Sequence, residues 1–171
     1  QRCPEPELMN AQDQVLAYAN ADFSSGDHSV IERLSELIDQ SCHAFPSASL
    51  ILDLGCGPGN ISERLAVRWP LCDVIGVDGA PSMIDTANQR LTGFNPSIQN
   101  LKYLLFDVSL CCLDDMSQIS GASVIVSNSL LHHLHQPQRL WTLVKHLVGP
   151  NALMLHRDLR RPSNEQDVDA L

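Results

Sequence analysis

Leu50-Ile51-Leu52-Asp53-Leu54-Gly55-Cys56-Gly57-Pro58-Gly59-Asn60 decides how the rest of the chain is read. A short apolar run ends in an acid and gives way to three glycines in five residues. Ile61, Leu65, Ala66 and Trp69 then recur at helical spacing until Pro70 stops them. A strand therefore feeds through a glycine turn directly into a helix. Glycine accepts positive φ and lets a ligand come close to the main chain. The helix start behind the turn offers free N–H groups and a partial positive charge, which suits a carboxylate or phosphate. The register is G-x-G-x-G, with Asn60 where the dinucleotide fingerprint has its third glycine, and no Gly-Lys-Ser/Thr of a P-loop follows. Asp53, two residues before the first glycine, can hold the loop or reach a ligand's ammonium group directly or through water.

Downstream, Cys72 to Val77 reads as a second strand ending at Asp78. Pro81 sits just inside the next helix, with Met83, Ile84, Ala87 and Leu91 on its inner face and Gly93 as its stop. Residues 101–106 form a third strand before Asp107, and residues 122–127 a fourth. Pro137 opens a helix carrying Leu140, Trp141, Val144, Leu147 and Val148, closed by Gly149-Pro150, and residues 152–155 form a fifth strand. Apolar strands alternating with helices predict an α/β fold, a Rossmann-like doubly wound parallel sheet of about five strands with helices on both faces. Ligands in such sheets bind beyond the carboxyl ends of the strands, where the strand order reverses. The loops at 54–60, 78–83, 107–112 and 127–135 thus converge on one candidate site. Asp78, 21 residues after Gly57, is placed to accept hydrogen bonds from two adjacent ribose hydroxyls and disfavours a 2′-phosphate.

Upstream, residues 7–21 carry a ragged helical spacing after Pro4 and Pro6, and Asp22 to Asp27 reads as a loop. Val30, Ile31, Leu34, Leu37, Ile38, Cys42 and Phe45 then mark an amphipathic helix, with Ser29 and Glu32 as a capping box and Pro46 as its close. Three parts are expected: an N-terminal helical cap over 1–47, a cofactor-binding core over 48–159 and a polar tail over 160–171. Tyr18 and Phe23 could lend rings to a ligand or pack in the core.

The chain has 171 residues, 44% apolar and 18% charged, enough for one domain with its own core. A net charge of -9 opposes binding to phosphate backbones, so nucleic acid is not an expected partner. Apolar runs are too short to span a membrane. Six cysteines, at 3, 42, 56, 72, 111 and 112, include no C-x-x-C and no zinc spacing, so no metal is expected. Reduced, mostly buried thiols fit a cytoplasmic protein.

Ile51 to Asn60 resembles the first motif of the class I S-adenosylmethionine-dependent methyltransferases, and Val74-Ile75-Gly76-Val77-Asp78-Gly79-Ala80-Pro81-Ser82-Met83 resembles their second. The resemblance covers residues 50–156. It implies S-adenosyl-L-methionine as cofactor and S-adenosyl-L-homocysteine as product. It also implies that Gly55, Cys56 and Gly57 lie along the methionine moiety, that Asp78 takes the ribose hydroxyls with Gly79 also in the cofactor site, and that Met83 packs near the adenine. Asp107 would contact the adenine amino group beside apolar Val108, although a turn role for Asp107 is also open. Asn128 would face the methylsulfonium end. A narrower similarity, carried by residues 127–134 and 158–163, is to small-molecule enzymes of the ubiquinone-biosynthesis-like branch.

Two departures qualify the match. Asn128-Ser129-Leu130-Leu131 replaces the Asn/Asp-Pro-Pro-aromatic motif of amino-methylating nucleic-acid enzymes, which points to a small-molecule methyl acceptor. The family usually closes its sheet with two further strands, and the sequence ends at Leu171 before they could fit, so the reading favours a fragment of a longer protein over a natural minimal form. His132, His133 and His135 follow the fourth strand, on the rim where an acceptor would sit. His133 is the preferred candidate for a general base, with packing or capping as the alternative. The expected activity is methyl transfer to a small molecule; the alternatives are a cofactor-binding domain without turnover and, disfavoured by the glycine register, a nicotinamide-linked oxidoreductase.

Overall fold

The computed structural model describes residues 8–9, 15, 17, 21–41, 48–94, 96–110, 116 and 119–159. The expected helix over 7–21 falls mostly outside these residues, as do Cys42, Phe45, Pro46, Cys111, Cys112 and the 160–171 tail. Five strands, β1 (Leu50–Leu54), β2 (Asp73–Asp78), β3 (Leu101–Leu105), β4 (Ala122–Asn128) and β5 (Val148–Arg157), pair in the order β3-β2-β1-β4-β5. Every pairing is parallel. The chain winds outward from β1 to β3, then crosses to the other side of β1, so the strand order reverses between β1 and β4. The doubly wound Rossmann-like fold expected from the sequence is the one observed.

Period-two alternation explains both cores. Ile51, Val74, Val124 and Val126 point to one face, where they pack against α1 (Ser24–Gln40), α2 (Asn60–Arg68) and α3 (Pro81–Thr92). Leu52, Leu54, Ile75, Val77 and Ile125 point to the other, against α4 (Gln138–Leu147). Strands apolar on both sides are what a covered parallel sheet requires. On the first face, α1 contributes buried Val30, Ile31 and Leu34 to the same core as the strands.

Boundaries differ from the sequence reading: α1 closes at Gln40, with Ser41 extended at φ -68 and ψ 138, and does not run on to Pro46. The segment 22–27 is not all loop: α1 begins at Ser24, with Asp22 Oδ1 accepting from the Ser24 N–H at 3.0 Å. Ser29 lies inside the helix and caps nothing. Packing of Asp27 against its surroundings overrides the loop-like composition of Ser24 to Asp27, since Asp27 is buried in the helix's first turn. Gly149-Pro150 does not separate α4 from a later strand. Val148 is already in β5, and the register with β4 slips between Ala122↔Val148 and Val124↔Leu153, with Asn151 at φ 58. A proline is tolerated there because β5 is an edge strand of the sheet formed by the described residues.

Candidate functional site

The β1–α2 loop turns under main-chain control. The N–H groups of Gly55 and Cys56 both donate to the Val77 carbonyl, at 2.8 and 3.0 Å, which ties the end of β1 to the end of β2. Gly55 and Gly59 have φ of +75° and +90°. A Cβ at Gly55 would stand 2.9 Å from the Leu130 Cβ, and one at Gly59 would run into the Tyr103 ring. Backbone conformation and crowding thus both demand glycine at these positions. The main chain is left open toward the strand ends.

There it borders a crevice of about 270 Å³. All four loops expected to converge contribute to its lining, and every candidate residue, Asp53, Gly55, Cys56, Gly57, Asp78, Gly79, Met83, Asp107, Val108, Asn128 and His133, is part of it. Leu8, Met9, Phe23, Gly26 and Asp27 close one side from the N-terminal segment. Tyr18 lies outside the described residues.

Asp78 caps the second strand with both carboxylate oxygens engaged. Oδ2 accepts from the Gly57 N–H and Oδ1 from the Ala80 N–H, each at 2.9 Å. Burial pushes its carboxyl above the usual range, against the pull of those backbone bonds and of His133. Asp53 points to the α-helical face of β1 and accepts a 2.6 Å bond from Ser62 Oγ in the first turn of α2. It is 1% exposed, and burial, opposed by the Ser62 bond and reinforced by the charges of Asp78 and Asp27, pushes it up to about 7. Burial likewise raises Asp27, which Arg64 opposes from 3.6 Å. Burial and the same acids push the Cys56 thiol well up, so it is an apolar wall and not a nucleophile. Three crowded carboxylates make this end of the crevice suited to a ligand carrying positive charge.

Asp107 Oδ1 accepts from both the N–H and the Oγ of Ser109 at 2.7 Å, the turn role left open by the sequence, while the residue still lines the crevice. Met83 is buried with Val15 and Ala80, and Val108 is buried against the opposite core. Asn128 Nδ2 reaches Ser129 Oγ at 3.3 Å, but its Oδ1 is buried with no hydrogen-bond partner. An orphaned acceptor facing a cavity calls for a donor from a ligand or water. The residues therefore fit an adenosyl-type cofactor with an ammonium group: an open main-chain cradle, a carboxylate at the end of the second strand, an apolar flank and an acid-rich end.

The sequence reading placed Asn128 and His132 on this rim but not the contacts that join the ends of β4 and β5. Ser129 takes φ 57, and its N–H donates to the Arg157 carbonyl at 2.9 Å. Arg157 Nη1 donates to the Gly26 carbonyl at 2.9 Å, latching α1 to β5 at the crevice edge. His132 Nδ1 is 2.6 Å from Asp158 Oδ1. The signal was present in outline, because parallel strands bring their carboxyl ends together and Asn128 pairs with Arg157.

Known proteins match on the same parts. Residues 51–151 match a family described as "Methyltransferase domain". A malonyl-[acyl-carrier protein] O-methyltransferase of Bacillus cytotoxicus is 30% identical over 163 residues, covering 88% of this chain and 52% of that protein. A trans-aconitate 2-methyltransferase of Rhodopseudomonas palustris is 34% identical over 94 residues, covering 53% of this chain and 32% of its own length. The chain thus spans about half, or less, of the length of these curated relatives. Among solved structures, the plantazolicin methyltransferase BpumL, in complex with a pentazolic desmethylPZN analog and SAH, superposes with a TM-score of 0.72 at 21% identity, covering 93% of this chain and 58% of that one. These matches do not single out the ubiquinone-biosynthesis-like branch.

Proposed function

Because the chain belongs to the class I S-adenosylmethionine-dependent methyltransferase family, we propose that it transfers the methyl group of S-adenosyl-L-methionine to a small-molecule acceptor, releasing S-adenosyl-L-homocysteine. The observation that carries this reading is the convergence of all eleven candidate residues on one crevice at the strand-order reversal. The cofactor, when bound, supplies an activated methyl group on a sulfonium. The chain's own work is then binding, alignment and exclusion of water.

Gly55, Cys56 and Gly57 line the path of the amino-acid end of the cofactor, and Asp53 and Asp27 supply negative charge to its ammonium group. Asp78 and Gly79 take the ribose, the Asp78 carboxylate using the acceptor sites that the Gly57 and Ala80 N–H groups leave unfilled. Met83, Asp107 and Val108 form the adenine end. Asn128 and His133 lie toward the acceptor. The acidic net charge of -9 supports a small-molecule acceptor over nucleic acid, and the names of the relatives point to carboxylic acids as a first set to try. Buried Cys56 and Cys72 thiols support a cytoplasmic setting.

The test is formation of S-adenosylhomocysteine from S-adenosylmethionine with trans-aconitate, other polycarboxylates, phenols and amines as acceptors. Acceptor-dependent turnover is expected for at least one class. Cofactor binding without turnover on any of them would instead favour a domain that binds and does not catalyse.

A further inference from the structure

The acceptor side of the crevice holds a pair that neither the glycine motifs nor the family match assigns. His132 follows β4, and Asp158 follows β5, at the neighbouring carboxyl ends of two paired strands. His132 Nδ1 lies 2.6 Å from Asp158 Oδ1, with side chains 22% and 9% exposed. Asp158 is itself fixed by the Leu131 N–H on Oδ2 at 2.6 Å and the Leu159 N–H on Oδ1 at 2.7 Å. Burial pushes its carboxyl up, but the bonds from His132, Leu159 and Leu131 together bring it below the ordinary range.

An ionised carboxylate only accepts, so Nδ1 carries the hydrogen and the lone pair sits on Nε2. Nε2 is on the opposite edge of the ring, and His132 lines the crevice together with Asn128, Ser129 and Leu130. The His133 ring packs on it at 4.1 Å, tilted by 38°, and further restricts its rotation. A carboxylate that fixes both tautomer and orientation of an imidazole is the arrangement that makes a histidine an effective base.

We propose that His132, oriented by Asp158, is the general base for a protic acceptor, a hydroxyl or an amine. This inference rests on the methyltransferase reading. The acceptor's lone pair forms the new bond to the methyl carbon, and the carbon–sulfur bond breaks with its electron pair left on sulfur. The acceptor proton passes to His132 Nε2 and later leaves to water. Asp158 stays ionised and stabilises the imidazolium. Among the described residues, the other ionisable groups around the pair are Arg157 beside Asp158, His133 against the ring, and Asp78 facing His133. His133, the histidine preferred from sequence, is a packing neighbour in this scheme.

The test combines a spectroscopic and a kinetic readout on the whole chain. Long-range 1H–15N spectra, assigned with His132→Gln, are expected to show His132 as the Nδ1–H tautomer. In Asp158→Asn the new amide can donate to Nδ1, so the Nε2–H tautomer is expected to grow. Diethyl pyrocarbonate should modify His132 in the wild type and react at least tenfold more slowly in that variant. Turnover with phenol or amine acceptors should fall about 10²- to 10⁴-fold in His132→Gln, with S-adenosylhomocysteine affinity within about threefold of wild type. An Nε2–H tautomer in the wild type, an unreactive His132, turnover confined to carboxylate acceptors, or equal turnover in His132→Gln would overturn the assignment. Failure of the wild type to bind S-adenosylhomocysteine would contradict the methyltransferase reading, and it is measured separately by calorimetry.

Discussion

Asp53 shows how one side chain couples the site to stability. Its folded carboxyl is raised to about 7 from an ordinary 3.8, mainly by burial. The folded chain therefore keeps a proton that the unfolded chain releases between those values. The stability from this group is complete below the ordinary carboxylate range and is lost as pH climbs through about 7. At about 1.4 kcal/mol per unit, the loss is bounded at roughly 4 kcal/mol. Asp78 and Asp27, also raised, act in the same direction, whereas lowered Asp158 acts in the opposite one. Urea unfolding at pH 5 and pH 7.5 should show Asp53→Asn losing at least about 2 kcal/mol less than wild type over that interval, and equal losses would contradict the assignment. At Gly59, alanine must accept φ +90° and displace the Tyr103 ring, so Gly59→Ala should cost at least about 1–2 kcal/mol in chemical denaturation. The glycines and the acids at strand ends were legible because their roles follow from backbone conformation and strand position. The Asp53–Ser62 bond was not, since it depends on how α2 sits on the sheet.

The elements are joined by a small number of charged contacts. Arg90 of α3 grips Glu63 of α2 through two bonds, Nε to Oε1 at 2.9 Å and Nη2 to Oε2 at 2.7 Å. Glu63 is 3% exposed, so removing its partner strands a buried carboxylate. Arg90→Ala should cost roughly 2–3 kcal/mol, less than a fully buried pair because the Arg90 side chain is 35% exposed, and Arg90→Lys should recover only part of it. Among the described residues, the rhythm of apolar residues marks the four helices and five strands, and the differences lie at their ends. The start of α1 was missed because Ser24 to Asp27 has loop composition, and the helix there is set by packing and by Asp22. The start of β5 was missed because Gly149-Pro150 is a stop signal in most contexts, but an edge strand needs fewer ladder bonds.

At the scale of the molecule, winding decides function. Strand order β3-β2-β1-β4-β5 brings the four loops that follow β1 to β4 to one rim, and that rim holds both the glycine cradle and the acid of the second strand. The class of ligand was legible from the family resemblance that the two strand–loop motifs carry, whereas the contacts that join the ends of β4 and β5 were not, because no local motif encodes them. Arg157 also bridges to α1, so Arg157→Gln should loosen the N-terminal wall and raise amide exchange in the first turn of α1, with the sheet amides unchanged. The most direct test is titration calorimetry of the chain with S-adenosylhomocysteine and, separately, with NAD. Saturable binding of the first alone is expected, weakened about ten- to a hundredfold in Asp78→Ala. Binding of NAD in its place, or an Asp78→Ala variant that binds as tightly as wild type, would contradict the assigned pocket.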